Sequence, residues 1–311
     1  MGRPGTRGKE SSMLERIVVP LDGSLTAEAV LPFVRRFLHR TDSELILVRA
    51  VIPAPVENSI MIADAATGAA RAYIKEVQER LDREGVRVKS SVHVGSAIGI
   101  ILDTAEEERA TMIAMATHGA TGLKRILLGS VAEAVLRKSP VPVFVVRPFW
   151  TAEQAVPEDL ETRPVRNILL PVDGSDLAEL AVSPALELAD LFEGRVLLLR
   201  VVEPRKTGDG EREIEEARSH LQGIAREFER KGVRTHTLVE KGDPVEEILK
   251  TLRFHEADLV VMTTHGRSGL SRLVTGSVTE QVLRQAPVPL LVVRAGKPAR
   301  ARRRAALSRK K

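Results

Sequence analysis

The chain has 311 residues, 43% of them hydrophobic and 29% charged, with 47 Lys or Arg against 42 Asp or Glu and no cysteine. That length suits two domains better than one, and the lack of cysteine excludes a disulfide scaffold, a thiolate metal site and a cysteine nucleophile. The net charge of +5 belongs to the last 17 residues: Ala295–Lys311 carries eight Lys or Arg and no acid, so removing those eight leaves −3 on the rest, and the basic balance does not mark the body as a nucleic-acid binder.

In chain order, residues 1–13 read as a flexible N-terminal tail. A first run of elements then alternates short apolar strands (Ile17–Pro20, Leu45–Val51, Val86–Val94, Met112–Ala116, Val143–Val146) with helical stretches (Thr26–His39, Ala65–Glu84, Ala97–Arg109, Val131–Lys138). Residues 149–164, rich in acids and prolines, read as a linker. A second run follows, with strands at Ile168–Pro171, Val196–Val202, Val233–Val239, Leu259–Thr263 and Leu290–Val293, and residues 295–311 read as a basic, disordered tail. Alternation of this kind predicts an α/β fold of two tandem doubly wound domains, residues 14–148 and 165–294. Each would be a five-stranded parallel sheet with helices on both faces. Strands that are apolar throughout are expected where both faces are covered.

The two runs are copies. Arg16-Ile-Val-Val-Pro-Leu-Asp-Gly-Ser24 recurs as Asn167-Ile-Leu-Leu-Pro-Val-Asp-Gly-Ser175. Thr117-His-Gly-Ala-Thr-Gly-Leu-Lys-Arg-Ile-Leu-Leu-Gly-Ser130 recurs as Thr264-His-Gly-Arg-Ser-Gly-Leu-Ser-Arg-Leu-Val-Thr-Gly-Ser277, and Ser139-Pro-Val-Pro-Val-Phe-Val-Val-Arg147 as Ala286-Pro-Val-Pro-Leu-Leu-Val-Val-Arg294. The spacing between equivalent residues falls from 151 at Asp22/Asp173 to 147 at Gly85/Gly232, so the second copy is four residues shorter between its second strand and the end of its second helix, where a shortened surface connection is expected.

Ligands of doubly wound sheets bind beyond the carboxyl ends of the strands, where strand order reverses. Two pieces of each copy belong there. Asp22 and Asp173, at the tip of the first strand, can accept hydrogen bonds from ribose hydroxyls or an exocyclic amine, or can simply make a turn that caps the next helix. After the fourth strand come Gly119 and, ten residues on, Gly129-Ser130 (Gly266 and Gly276-Ser277 in the second copy). Glycines let phosphate approach backbone amides, and a helix N-terminus supplies free amides and a favourable dipole. A capping box, Ser130 with Glu133 and Ser277 with Glu280, would explain the serines without a ligand. His118 and His265 fit loop residues bonded to backbone better than catalysts, because no carboxylate pair or second histidine accompanies them. No G-x4-G-K-(S/T) loop occurs, and no G-x-G-x-x-G follows a strand.

With these motifs in view, both copies resemble universal stress protein domains, whose nucleotide-binding members carry G-x2-G-x9-G-(S/T) after the fourth strand. The resemblance covers nearly all of residues 14–148 and 165–294. It implies ATP as ligand, alone or with Mg2+, in a stress-response or regulatory protein with little or no turnover. A slow ATP-hydrolysing or adenylyl-transferring enzyme and a partner-binding module with decayed sites stand as alternatives. Carried over by position, it implies a first site of Pro20, Asp22, Ala50, Ala116, His118, Gly119, Gly129, Ser130 and Val131. The second is Pro171, Asp173, Val201, Thr263, His265, Gly266, Gly276, Ser277 and Val278. Ala116 and Thr263 replace the first glycine of the pattern; threonine is the bulkier departure, so the second site is expected to bind less well. Lys124, Arg125, Arg267 and Arg272 are available to phosphate, whereas Met115 and Met262 read as core.

The same resemblance implies pairing through the last strands, Val143–Val146 with Leu290–Val293, as a pseudo-dimer within the chain or a homodimer. No apolar run approaches the roughly 20 residues that span a bilayer, which predicts a cytoplasmic protein without membrane contacts. Nucleic acid is expected to meet only the basic tail. Deleting Lys297–Lys311, which has no apolar periodicity with which to dock, is expected to leave melting temperature and ATP affinity unchanged. Calorimetry on the truncated chain checks this, and a large drop in melting temperature would show a docked tail.

Overall fold

The computed structural model describes residues 12–38, 40–52, 59–117, 128–147, 164–203, 210–264 and 276–294. Its first half contains β1 (Arg16–Pro20), α1 (Leu25–Glu28), α2 (Leu31–Leu38), β2 (Glu44–Val51), α3 (Ser59–Arg83), β3 (Arg87–Val94), α4 (Ala97–Glu107), β4 (Met112–Ala116), α5 (Ser130–Lys138) and β5 (Val143–Val146). The second half repeats this as β6 (Asn167–Pro171), α6 (Asp176–Glu179), α7 (Val182–Phe192), β7 (Arg195–Val202), α8 (Gly210–Arg230), β8 (Arg234–Lys241), α9 (Pro244–Phe254), β9 (Leu259–Thr263), α10 (Ser277–Gln285) and β10 (Leu290–Val293).

The fold is α/β, and the two sheets fuse into one of ten strands in the order β3-β2-β1-β4-β5-β10-β9-β6-β7-β8. Every ladder within a copy is parallel. The seam is antiparallel, with Leu290, Leu291 and Val292 opposite Val145, Phe144 and Val143. The two last strands thus pair about a pseudo-twofold within one chain, which covers an edge that each copy would otherwise expose. One apolar layer, beneath α1–α3 and α6–α8, runs across both copies; the other lies beneath α4, α5, α9 and α10.

Three sequence expectations are corrected. The helix expected over Thr26–His39 is two, α1 and α2, as are their counterparts α6 and α7. Pro32 and Pro184 lie at the starts of α2 and α7, where the missing N–H and the ring's clash with the preceding turn forbid one continuous helix. The strands are not apolar throughout: β3 (RVKSSVHV) and β8 (RTHTLVEK) are half exposed because they are the two edges of the fused sheet. The four-residue deficit is not a shortened connection, since α3 has 25 residues and α8 has 21. About one helical turn is missing, at the N-terminal end, because Arg83 and Arg230 close the two helices at equivalent positions.

Candidate functional site

In each copy the first strand lies between the second and fourth, so strand order reverses beside it. Pro20 and Ala116 end β1 and β4, and Ala50 is the penultimate residue of β2, so three expected first-site residues sit on adjacent strand tips. Asp22 follows β1. Its Oδ1 accepts from the Ser24 amide (3.0 Å) and hydroxyl (2.6 Å), while Ser24 caps α1 by accepting from the Ala27 amide (3.1 Å). Asp173, Ser175 and Ala178 repeat this at 3.0, 2.6 and 3.2 Å. These intrachain bonds close the turn and fix the aspartate at the tip.

Gly129 and Gly276 are the N-caps of α5 and α10, with φ/ψ of −62°/144° and −55°/142°. This overturns the capping box. The first intrahelical bonds run from Glu133 to the Gly129 carbonyl and from Glu280 to the Gly276 carbonyl (2.9 Å each), which places Ser130 and Ser277 inside the helices. The two glutamates reach forward to Arg137 and Arg284 instead of back to the serines. A glycine cap brings no side-chain acceptor. Among the described residues, the Ser130 and Val131 amides, like those of Ser277 and Val278, have no backbone partner. The Gly129 amide donates to the Thr117 carbonyl (2.9 Å), and the Thr117 amide to the Val146 carbonyl (2.9 Å). Each helix start is thereby tied to the end of the fourth strand, across the ends of the segment between them. His118, Gly119, Lys124 and Arg125, with His265, Gly266, Arg267 and Arg272, lie outside the described residues.

In the second copy a cavity of about 480 Å³ opens at these tips, within the range usual for small-molecule sites. Pro171, Asp173, Val201, Thr263, Gly276, Ser277 and Val278 all line it. Met262 does too, although it is only 5% exposed and packs in the core, as does Met115. Thr263 is likewise buried; its carbonyl accepts from the Thr279 hydroxyl (2.8 Å) where the first copy has Ala132.

Sequence reading missed two groups. Glu203, Glu213 and Glu216 line the second cavity, where the equivalent first-copy residues are Ile52, Ala66 and Ala69. Glu213 and Glu216 read as part of an ordinary solvated face of α8, and only the placement of that helix over the β7 tip brings them to the cavity beside Glu203, which directly follows β7. Arg49 and Arg200 are the other group. Each interrupts an apolar run, Leu45–Val51 and Val196–Val202, at the 151-residue repeat, a signal that was legible. Gly23 and Gly174 have φ of +85° and +80°, and a Cβ on them would fall 2.3 and 2.2 Å from the Arg49 and Arg200 Nη1 atoms. Arg49 also lies over the Tyr73 ring (5.0 Å), whose hydroxyl donates to Glu28 (2.8 Å). Burial, and then that bond, push the Tyr73 pKa well up. Gly23→Ala is therefore expected to displace the guanidinium and strain the Asp22 turn. Chemical denaturation should read a loss of about 1–2 kcal/mol, and an unchanged midpoint would mean that the turn relaxes freely.

Two glycine-capped helix starts facing the carboxyl tips of a reversing parallel sheet define a tandem doubly wound α/β protein with a cleft at the strand tips of its second copy. It belongs to the universal stress protein family, whose family model ("Universal stress protein family") matches residues 13–147 and again 164–294. A universal stress protein of Mycolicibacterium smegmatis is 27% identical over 295 residues, covering 89% of this chain and 96% of the relative. One from Methanocaldococcus jannaschii is 34% identical over 139 residues, 42% of this chain and 82% of that protein. The crystal structure of a universal stress protein from Archaeoglobus fulgidus superposes with a TM-score of 0.73 at 23% identity, over 90% of this chain and 98% of that one; at that identity the likeness speaks to fold. Among the described residues no helix is long and apolar enough to cross a membrane.

Proposed function

We propose that the protein binds ATP in each copy, as a regulatory stress protein that holds the nucleotide with little turnover. The observation that carries this is the convergence of the α10 amino end, the β6, β7 and β9 tips and Asp173 on one cavity. In this reading the amides of Ser130 and Val131, and of Ser277 and Val278, meet phosphate oxygens, where the helix dipole favours negative charge. Asp22 and Asp173 accept from ribose or adenine while holding their own turns, and Ala50 and Val201 flank the base. The glycines suit this role because they carry no side chain to stand before those amides. Mg2+ would accompany the triphosphate, and no described residue is assigned to it.

The second site binds ATP more weakly. Thr263 adds bulk, and Glu203, Glu213 and Glu216 add carboxylates near an anionic ligand, although Arg212 pairs with Glu216 (3.0 Å). Mass spectrometry of nucleotide released by denaturing freshly purified protein tests the reading. Intact ATP supports a binder, ADP formed with a magnesium-dependent time course supports the slow enzyme, and no nucleotide together with no binding on titration rejects both.

A further inference from the structure

The repeated closing motif ends in Arg147 and Arg294, and the nucleotide reading leaves both unused. The antiparallel register explains where they go. Val292 stands opposite Val143, so Arg294 lies beside the stretch that precedes β5. Its Nη1 donates to the carbonyls of Lys138 (2.9 Å) and Ser139 (3.1 Å), at the carboxyl end of α5 in the other copy. By the same symmetry, Arg147 Nη1 donates to the Arg284 carbonyl near the carboxyl end of α10. Burial draws the Arg147 pKa down, consistent with a charge removed from water to make this contact.

Each arginine thus caps the negative end of the helix whose positive end forms the other copy's site. A cation there satisfies last-turn carbonyls and complements the dipole. The contacts also close into a ring. From Gly129, bonds run through Thr117 to Val146, whose neighbour is Arg147; Arg147 reaches α10, which begins at Gly276. From Gly276 they run through Thr264 to Val293, and Arg294 returns to α5.

We propose that Arg147 and Arg294 are positioning residues that act across the seam. Arg294 sets α5 and so the first site, and Arg147 sets α10 and so the second. This rests on the nucleotide reading for its ligand but not for its geometry.

The experiment uses the full chain and two readouts. In amide hydrogen exchange without nucleotide, Arg294→Ala should speed exchange in residues 130–138 and spare 277–285, while Arg147→Ala should do the reverse. In ATP titration of one-site variants, Arg294→Ala in a Gly276→Val background should weaken the first site about three- to tenfold. Arg147→Ala should do so at the second site in a Gly129→Val background, and each exchanged combination should change affinity less than twofold. Arg294→Lys, which keeps the charge and a donor, should recover most of the loss and guards against a variant that merely unfolds. Equal exchange in both helices for either variant, or no change in either, overturns the proposal. If the parent chain binds no ATP, the nucleotide reading fails, and the crossed exchange pattern alone still decides the role of the arginines.

Discussion

Replacing Gly129 by valine is expected to weaken ATP at the first site a hundredfold or more while leaving the fold nearly intact. The backbone at Gly129 is at φ −62° and ψ 144°, which a β-branched residue adopts without strain. Its amide bond to Thr117 and its carbonyl bond from Glu133 are main-chain bonds that valine keeps. The isopropyl group would stand at the helix start, where phosphate must meet the Ser130 and Val131 amides. Losing two charge-assisted bonds at roughly 1.5–3 kcal/mol each corresponds to a hundredfold or more. Gly276→Val should act in the same way from a weaker starting affinity. Ser130→Ala is the control. With Ser130 inside the helix and no capping bond from its hydroxyl, stability should move by less than about 0.5 kcal/mol. Isothermal titration beside melting curves reads all three, and glycine variants that bind like the parent would sink the phosphate cradle.

The repeat made the fold legible. Nine residues around Asp22 and fourteen around Gly129, each present twice, fixed the order of elements, and alternation with apolar strands left a doubly wound sheet as the arrangement that buries them. The errors have local causes. The break between α1 and α2 comes from single prolines that a run of apolar periodicity conceals. The exposure of β3 and β8 depends on which strands become edges, and no strand's own composition states that. The capping box failed for a different reason: Ser-x-x-Glu fits the motif equally well one position into a helix, and only the hydrogen bond that opens the ladder distinguishes the two.

At the site, residues on strand tips and helix starts were readable because their positions follow from element boundaries. Glu213 and Glu216 were not, since the helix that bears them looks solvated until it is laid over β7. Arg294 shows the same limit across the seam: its repetition was visible, but its target, the Lys138 carbonyl, is 156 residues away and is set by an antiparallel register.

That seam bears on stability as well as on the sites, and Phe144→Ala is expected to cost about 3–5 kcal/mol. Phe144 is 2% exposed and lies opposite Leu291 in the β5–β10 ladder. Its ring meets Phe37 edge-on at 5.1 Å and Phe33 at 6.3 Å. Phe37 in turn lies 5.8 Å from Phe192 of the second copy, over which Arg36 and Arg40 place their guanidinium groups at 5.8 and 5.5 Å. This aromatic row joins α2 to α7 across the pseudo-twofold, so the void left by Phe144 would loosen both copies. Against a total stability of roughly 5–15 kcal/mol, such a loss is large. Phe228, fully buried on the inner face of α8 at the far end of the sheet, provides the contrast. Phe228→Ala removes the same chemistry, yet it should first release hydrogen exchange in α8 and β8, leaving β5 and β10 protected. Phe144→Ala should raise exchange in β5 and β10 together and lower the urea midpoint of both halves in one transition. Loss confined to the first copy, with β10 as protected as in the parent, would mean that the two halves fold as independent units joined only by the chain.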